Sequence, residues 1–151
     1  MSEQGFDPEL FLQLGREVLA QQAFSRLLGA ELTHLMPGDV VLQLPLRDDL
    51  KQQNGFAHGG VVSYLADNAL TYAGGTAMRV PVVTSEFKIN YVRPATGQRL
   101  VARADAVHVS KSQAVCRCDV FALIDGTEKL VAVAQGTIAR LGDGSAQAAA
   151  A

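Results

Sequence analysis

Residues 54–75 read NGFAHGGVVSYLADNALTYAGG, and how this stretch folds decides the architecture of the whole chain. From His58 to Ala73 the spacing is helical. Val62, Leu65, Ala66, Ala69 and Ala73 form one apolar stripe, and Gly60, Ser63, Asp67, Thr71 and Gly74 form a small and polar stripe beside it. Few of these residues are charged, so the helix is expected to be buried on most of its sides. Gly74-Gly75 is expected to end it.

Working outward, both flanks read mostly as strands. Upstream, Gly29–Met36 is a plausible strand, Pro37-Gly38 a turn, and Val40, Leu42, Leu44 and Leu46 alternate with Val41, Gln43 and Pro45. Residues 47–55 form a polar loop. Before these strands, Asp7-Pro8 looks like a helix cap, and Leu10, Phe11, Leu14, Val18 and Leu19 predict an amphipathic helix from 8 to about 22. Downstream of Pro81 the period is two: Phe87, Ile89 and Tyr91 against Glu86, Lys88 and Asn90, then Leu100, Ala102, Ala104 and Ala106. Segments 113–124 and 128–140 follow, separated by the hairpin signal Asp125-Gly126. Short connections between consecutive strands imply an antiparallel sheet, so the expected class is α+β, one sheet with one central helix. One domain is expected over 1–140, with 141–151 a frayed tail.

Composition narrows the function. An apolar fraction of 48% with 19% charged residues describes a chain that folds around a core. A net charge of -2 with dispersed basic residues gives no reason to expect nucleic-acid binding. No apolar stretch is long enough for a bilayer, and MSEQGFDPEL has no signal-peptide pattern, so a cytoplasmic protein is expected. Cys116 and Cys118 fall on one strand face, about 6.6 Å apart along the chain, which suits neither a mutual disulfide nor a zinc site. Two reduced, partly buried thiols are expected.

Two features of the central helix carry chemistry. His58-Gly59-Gly60 opens it, where unpaired N–H groups and glycines would suit a carbonyl oxygen gaining negative charge. A tight loop-to-helix entry is the competing reading. Asp67 lies two turns into an apolar helix, where an unpartnered carboxylate is costly. Ser63, Thr71 or a polar group across an interface are its structural partners, and acid–base or nucleophilic chemistry is the alternative. His58 reads as a structural or substrate-orienting residue, since no nucleophile elbow or metal-ligand spacing accompanies it. No nucleotide-binding glycine motif occurs. Ser110 and Lys111, in a turn between strands, are candidate phosphate contacts beside the simpler reading of a solvated turn. Phe56, Tyr64, Met78 and Phe87 are candidate pocket residues, with core packing the favoured use.

With these residues quoted, the run N/Q-x(5)-HGG-x(6)-D/E, followed by TSEFKINYVRPA (84–95), resembles the PaaI-like branch of hotdog-fold thioesterases over roughly residues 25–140. The resemblance implies a curved antiparallel sheet wrapped around one long helix, and hydrolysis of an acyl- or aryl-CoA thioester. It implies that the Gly59 N–H polarises the carbonyl, that Asp67 is nucleophile or general base, and that Thr84 positions water. Gln52, six before His58, would orient the thioester or water, with Asn54 the second choice. His58, Gly60, Ser110 and Lys111 would contact substrate. The resemblance further implies sites shared across a homodimer, a dimer of dimers, and no metal or redox cofactor. A non-catalytic acyl-CoA binding domain on the same fold is the main rival. A dehydratase and a structural oligomer are the others.

Overall fold

The computed structural model describes residues 5–142, so most of the expected tail, from residue 143, lies outside the described residues. Asp7 caps the first helix, α1 (Pro8–Gln21), its carboxylate accepting the N–H groups of Glu9 and Leu10 at 3.0 and 3.2 Å. A short second helix, α2 (Ala23–Leu28), follows and closes at Gly29 in the left-handed region, φ +75°. Its six residues show too little periodicity to be read from sequence, and the sequence reading has one helix there.

The predicted apolar face of α1 divides in two. Leu19 and Gly15 are buried and Phe11 packs on the core, whereas Leu10, Leu14 and Val18 point outward and are exposed. Close approach decides this division, because Gly15 lets α1 sit directly on Leu32 and Leu35. The Tyr72 hydroxyl donates to the Gly15 carbonyl at 2.9 Å, and burial, with Tyr64 adding, pushes that hydroxyl above its ordinary ionisation range.

Strands β1 (Glu31–Met36) and β2 (Asp39–Pro45) form a hairpin at Pro37-Gly38, and a 3-10 turn over Asp48–Leu50 lies in the polar loop. The helix α3 (Gly59–Met78) then runs across the sheet formed by β1, β2, β3 (Val82–Tyr91), β4 (Arg99–Val109), β5 (Gln113–Ile124) and β6 (Thr127–Arg140). All six strands are antiparallel, in the order β1-β2-β4-β5-β6-β3. The inward residues of β2, β4 and β5, among them Leu42, Leu44, Leu100, Ala102, Cys118 and Val120, close over Leu65, Ala66, Ala69 and Ala73. This is the hotdog arrangement of one helix wrapped by one curved sheet.

Neighbours in sequence are neighbours in the sheet for β4, β5 and β6, with Asp125 and Gly126 at φ +48° and +81° making the expected hairpin. The exception is β3, which lies at the far edge beside β6. Its link to β4, residues 92–98, crosses three inter-strand steps of about 4.8 Å, well within the roughly 23 Å that seven residues reach. Within β3 the register skips Ser85, so Thr84 pairs with Ile138 and Glu86 with Thr137.

Gly74 and Gly75 do not end α3. The helix continues to Met78 and closes on Arg79, which takes φ +56° and donates its N–H to the Gly75 carbonyl at 2.8 Å. The glycines serve packing instead: a Cβ at Gly74 would stand 2.6 Å from Ile138 Cβ, and one at Gly75 3.0 Å from a Val82 methyl. Ile138 is fully buried and β-branched, so it has little room to yield. Gly74→Ala gains about 1 kcal/mol of helix propensity, but forcing a methyl into this contact costs about 1–3 kcal/mol. The overpacking dominates, and a lowered urea midpoint in equilibrium unfolding is the expected result.

Cys116 and Cys118 are fully buried on the inner face of β5 as free thiols. Burial, reinforced by nearby carboxylates, pushes them up from 9.0 to about 11 and about 12. They are core residues, more deeply placed than expected.

Candidate active site

The carboxylate of Asp67 is held by a residue from a different element. Thr84, on β3, donates its hydroxyl to Asp67 Oδ1 at 2.6 Å. Thr71, one turn further along α3, places its hydroxyl 2.9 Å from Thr84 Oγ1 and 2.8 Å from the Asp67 carbonyl oxygen. The skipped register at Ser85 makes this possible. Thr84 and Phe87 are three residues apart, so unbroken alternation would put them on opposite faces; with Ser85 bulged out of the register, both turn inward. Asp67 is partly buried, and its second oxygen has no partner among the described side chains.

The helix N-terminus is organised separately. His58 is its N-cap: Nδ1 accepts the Gly60 N–H at 2.9 Å, and the His58 carbonyl accepts that of Val61 at 3.0 Å. Because Nδ1 is an acceptor, the neutral ring carries its proton on Nε2. Gly59, the first helical residue, has no intrahelical acceptor for its N–H. Its conformation is ordinary, and a Cβ there would meet only the Tyr91 ring at 3.5 Å, so nothing within this chain demands glycine at 59. The Tyr91 hydroxyl donates to the Gly59 carbonyl at 3.1 Å.

The remaining predicted residues divide between these places. Gln52 shares with Gly59 a cleft of about 360 Å³ that Phe56, Tyr91 and Arg93 also line. Asn54 is exposed outside that cleft and donates its N–H to Gln52 Oε1. Ser110 and Lys111 lie in the β4–β5 turn, remote from Gly59. The Ser110 hydroxyl is engaged there, donating to the Gln113 carbonyl and accepting its N–H. Tyr64, Met78 and Phe87 pack against the core.

One chain therefore brings Asp67 to Thr84 and Gln52 to Gly59, but not the two pairs to each other. Asp67 and Gly59 are eight residues apart on one helix, about 12 Å along its axis. Sequence reasoning missed Tyr91, which lies 32 residues from Gly59 in sequence, and underused Thr71, whose i+4 spacing from Asp67 was a usable signal. Among the described residues no three metal-ligating side chains converge, and no helix is long and apolar enough to cross a membrane.

The sequence pattern of the thioesterase superfamily matches residues 54–129, the part of the chain that holds α3 and β3 with Gly59, Asp67, Thr84 and Tyr91. The chain belongs to the thioesterase superfamily. A 1,4-dihydroxy-2-naphthoyl-CoA hydrolase from Listeria monocytogenes is 30% identical to this thioesterase, over 74% of this chain and 90% of that protein. A thioesterase family protein from Silicibacter pomeroyi superposes with a TM-score of 0.80 at 36% identity, covering 86% of this chain and 98% of its own. A variant of the phenylacetic acid degradation protein PaaI from Thermus thermophilus gives 0.69 at 36% identity, covering 78% and 98%. This thioesterase is thus a hotdog-fold, PaaI-like thioester hydrolase, as the motif at 54–95 implied.

Proposed function

We propose that the chain hydrolyses the thioester of an acyl- or aryl-CoA at sites built from two subunits, with Asp67 of one subunit facing the Gly59 N–H of its partner. The observation that carries this reading is the separation of the two groups along α3. A thioester carbonyl and the atom attacking it lie a few ångströms apart, so helix positions about 12 Å apart cannot both serve one substrate within one chain. The edge strand β3 supports a remedy. It holds Thr84, bonded to Asp67, near one end and Tyr91, bonded to Gly59, at the other. Among the described residues its outer edge is unpaired. Pairing two β3 edges antiparallel about a two-fold axis would set the Asp67 end of each chain beside the Gly59 end of the other.

In such a site the Gly59 N–H and the positive end of α3 stabilise the oxygen as the thioester carbonyl becomes tetrahedral. Thr84 fixes Oδ1 of Asp67, leaving Oδ2 to attack the carbonyl carbon or to take a proton from water. The carbon–sulfur bond then breaks, releasing the CoA thiolate and, after water is consumed, the free acid. Gln52, in the Gly59 cleft, is the residue we assign to orienting the thioester in preference to Asn54. His58 and Gly60 shape the helix entry, and Arg93 gives the cleft a positive charge suited to the CoA arm. The reaction as written needs no metal or redox cofactor. We further propose a dimer of dimers acting in the cytoplasm.

The relatives' names favour aryl-CoA esters among the possible substrates. Release of free thiol from a panel of acetyl-, medium-chain, phenylacetyl- and hydroxynaphthoyl-CoA, followed with a disulfide reagent, tests the reading. Turnover of at least one aryl-CoA is expected. Tight binding with no thiol release from any member would replace hydrolysis with a non-catalytic binding role.

A further inference from the structure

A second cleft, of about 460 Å³, lies between α1, the outer turns of α3 and the head of β3. Leu14 and Val18 of α1 form one wall, Thr71 and Tyr72 of α3 another, and Pro81 and Val82 the end. We propose that this groove holds the acyl or aryl group of the thioester, so that the N-terminal helix sets which acids the enzyme accepts. The inference rests on the thioesterase reading above and deepens it.

Three observations lead to this occupant. The first is continuity: Thr71 lines the groove, and its hydroxyl is 2.9 Å from Thr84 Oγ1, itself 2.6 Å from the Asp67 carboxylate. A group bound there has its carbonyl end within reach of the proposed reacting centre. The second is chemistry. Among the described residues no Lys, Arg, Asp or Glu lines the groove, so these offer nothing to the phosphates of CoA. Its polar side chains are already engaged: Thr76 with the Tyr72 carbonyl at 2.7 Å, Tyr72 with the Gly15 carbonyl, and Asn68 with Gln22 and the Tyr64 hydroxyl at 3.0 and 3.1 Å. What the groove presents to a ligand is an apolar surface, and its volume is in the range of small-molecule sites. The third is the state of α1. Leu14 and Val18 are 50% and 51% exposed on a helix whose other side is seated on β1, so the apolar ridge has no covering partner among the described residues.

The acyl group is therefore selected by a side chain that can be exchanged without touching the core. Leu14→Trp narrows the groove, and Leu14→Ala widens it. With the native protein as reference, kcat/KM is measured for acetyl-, octanoyl-, phenylacetyl- and hydroxynaphthoyl-CoA. Leu14→Trp is expected to lower the ratio of bulky to acetyl substrate by about tenfold or more, and Leu14→Ala to raise it. If the tryptophan variant does not fold, the alanine variant alone decides the matter through the opposite shift. Equal changes for every substrate, or none, overturn the groove assignment while leaving the thioesterase reading in place. A change in mass by light scattering with a uniform loss of activity would assign the ridge to a second copy of the chain and likewise overturn it. A native protein inactive on the whole panel removes both.

Discussion

Asp67→Asn is expected to lower kcat for thioester hydrolysis by about 10²-fold or more, in line with the loss of a general base or nucleophile. The substitution is nearly isosteric. The new amide oxygen can still accept the Thr84 hydroxyl, which now donates to Asp67 Oδ1 at 2.6 Å. What disappears is the negative charge and the ability to take a proton. Thermal unfolding close to that of the native protein, together with the lost turnover, is the combination expected. Native-like kcat in a folded Asp67→Asn variant would remove Asp67 from the chemistry and leave it a structural partner of Thr84.

Gly59→Pro isolates the other half of the proposed site. Proline is well suited to the first position of a helix, where its missing N–H would have had no intrahelical partner. The residue before it must be extended, and His58 already has φ -60° and ψ 137°. The variant should therefore fold while losing the single donor assigned to the carbonyl oxygen. A fall of about 10²–10³ in kcat is expected, the range for removing one oxyanion-hole donor. The two inactive variants also report on each other. If each site joins Asp67 of one chain to Gly59 of the other, unfolding and refolding an equal mixture yields heterodimers with one intact site each. About a quarter of native activity is then recovered. Refolded mixtures as inactive as their components would place both residues in separate roles and sink the shared-site reading.

Much of the fold is legible in the order of residues alone. The central helix announces itself through the stripe from Val62 to Ala73, and Asp67 stands out because a carboxylate has no cheap place in such a helix. The hairpin at Asp125-Gly126 and the alternation of β2, β4 and β5 are equally plain, because each is a local rule. What escapes is decided by contact between distant parts. Gly74 and Gly75 carry the local signature of a helix end, but the Ile138 and Val82 side chains that require them small lie on strands 64 and 7 residues onward. Leu10, Leu14 and Val18 have the spacing of a buried face, yet the closeness permitted by Gly15 turns α1 onto a different side. The position of β3 beyond β6 belongs to the same class, since strand order depends on where α3 emerges from the sheet.

For the candidate site, the motif names Gly59 and Asp67 as the points of interest, but not their surroundings. Spacing from His58 puts Gln52 ahead of Asn54, and of the two Gln52 lines the cleft with Gly59. Thr84 is singled out through resemblance, and its bond to Asp67 gives it a more specific task, holding one carboxylate oxygen so that the other stays free.

The skipped register at Ser85 bears on which changes of length this part of β3 can absorb. Phe87 and Ile89 are anchored in the core, so the phase of the strand beyond the bulge is set by packing. Loss of the Ser85 codon alone would remove the bulge and leave Thr84 two residues before Phe87, still paired with Ile138 and still turned inward by ordinary alternation. The native spacing of three residues needs the bulge to hold both side chains inward, whereas a spacing of two would not. A chain one residue shorter at this point could carry the same Thr84–Asp67 contact on an unbroken strand.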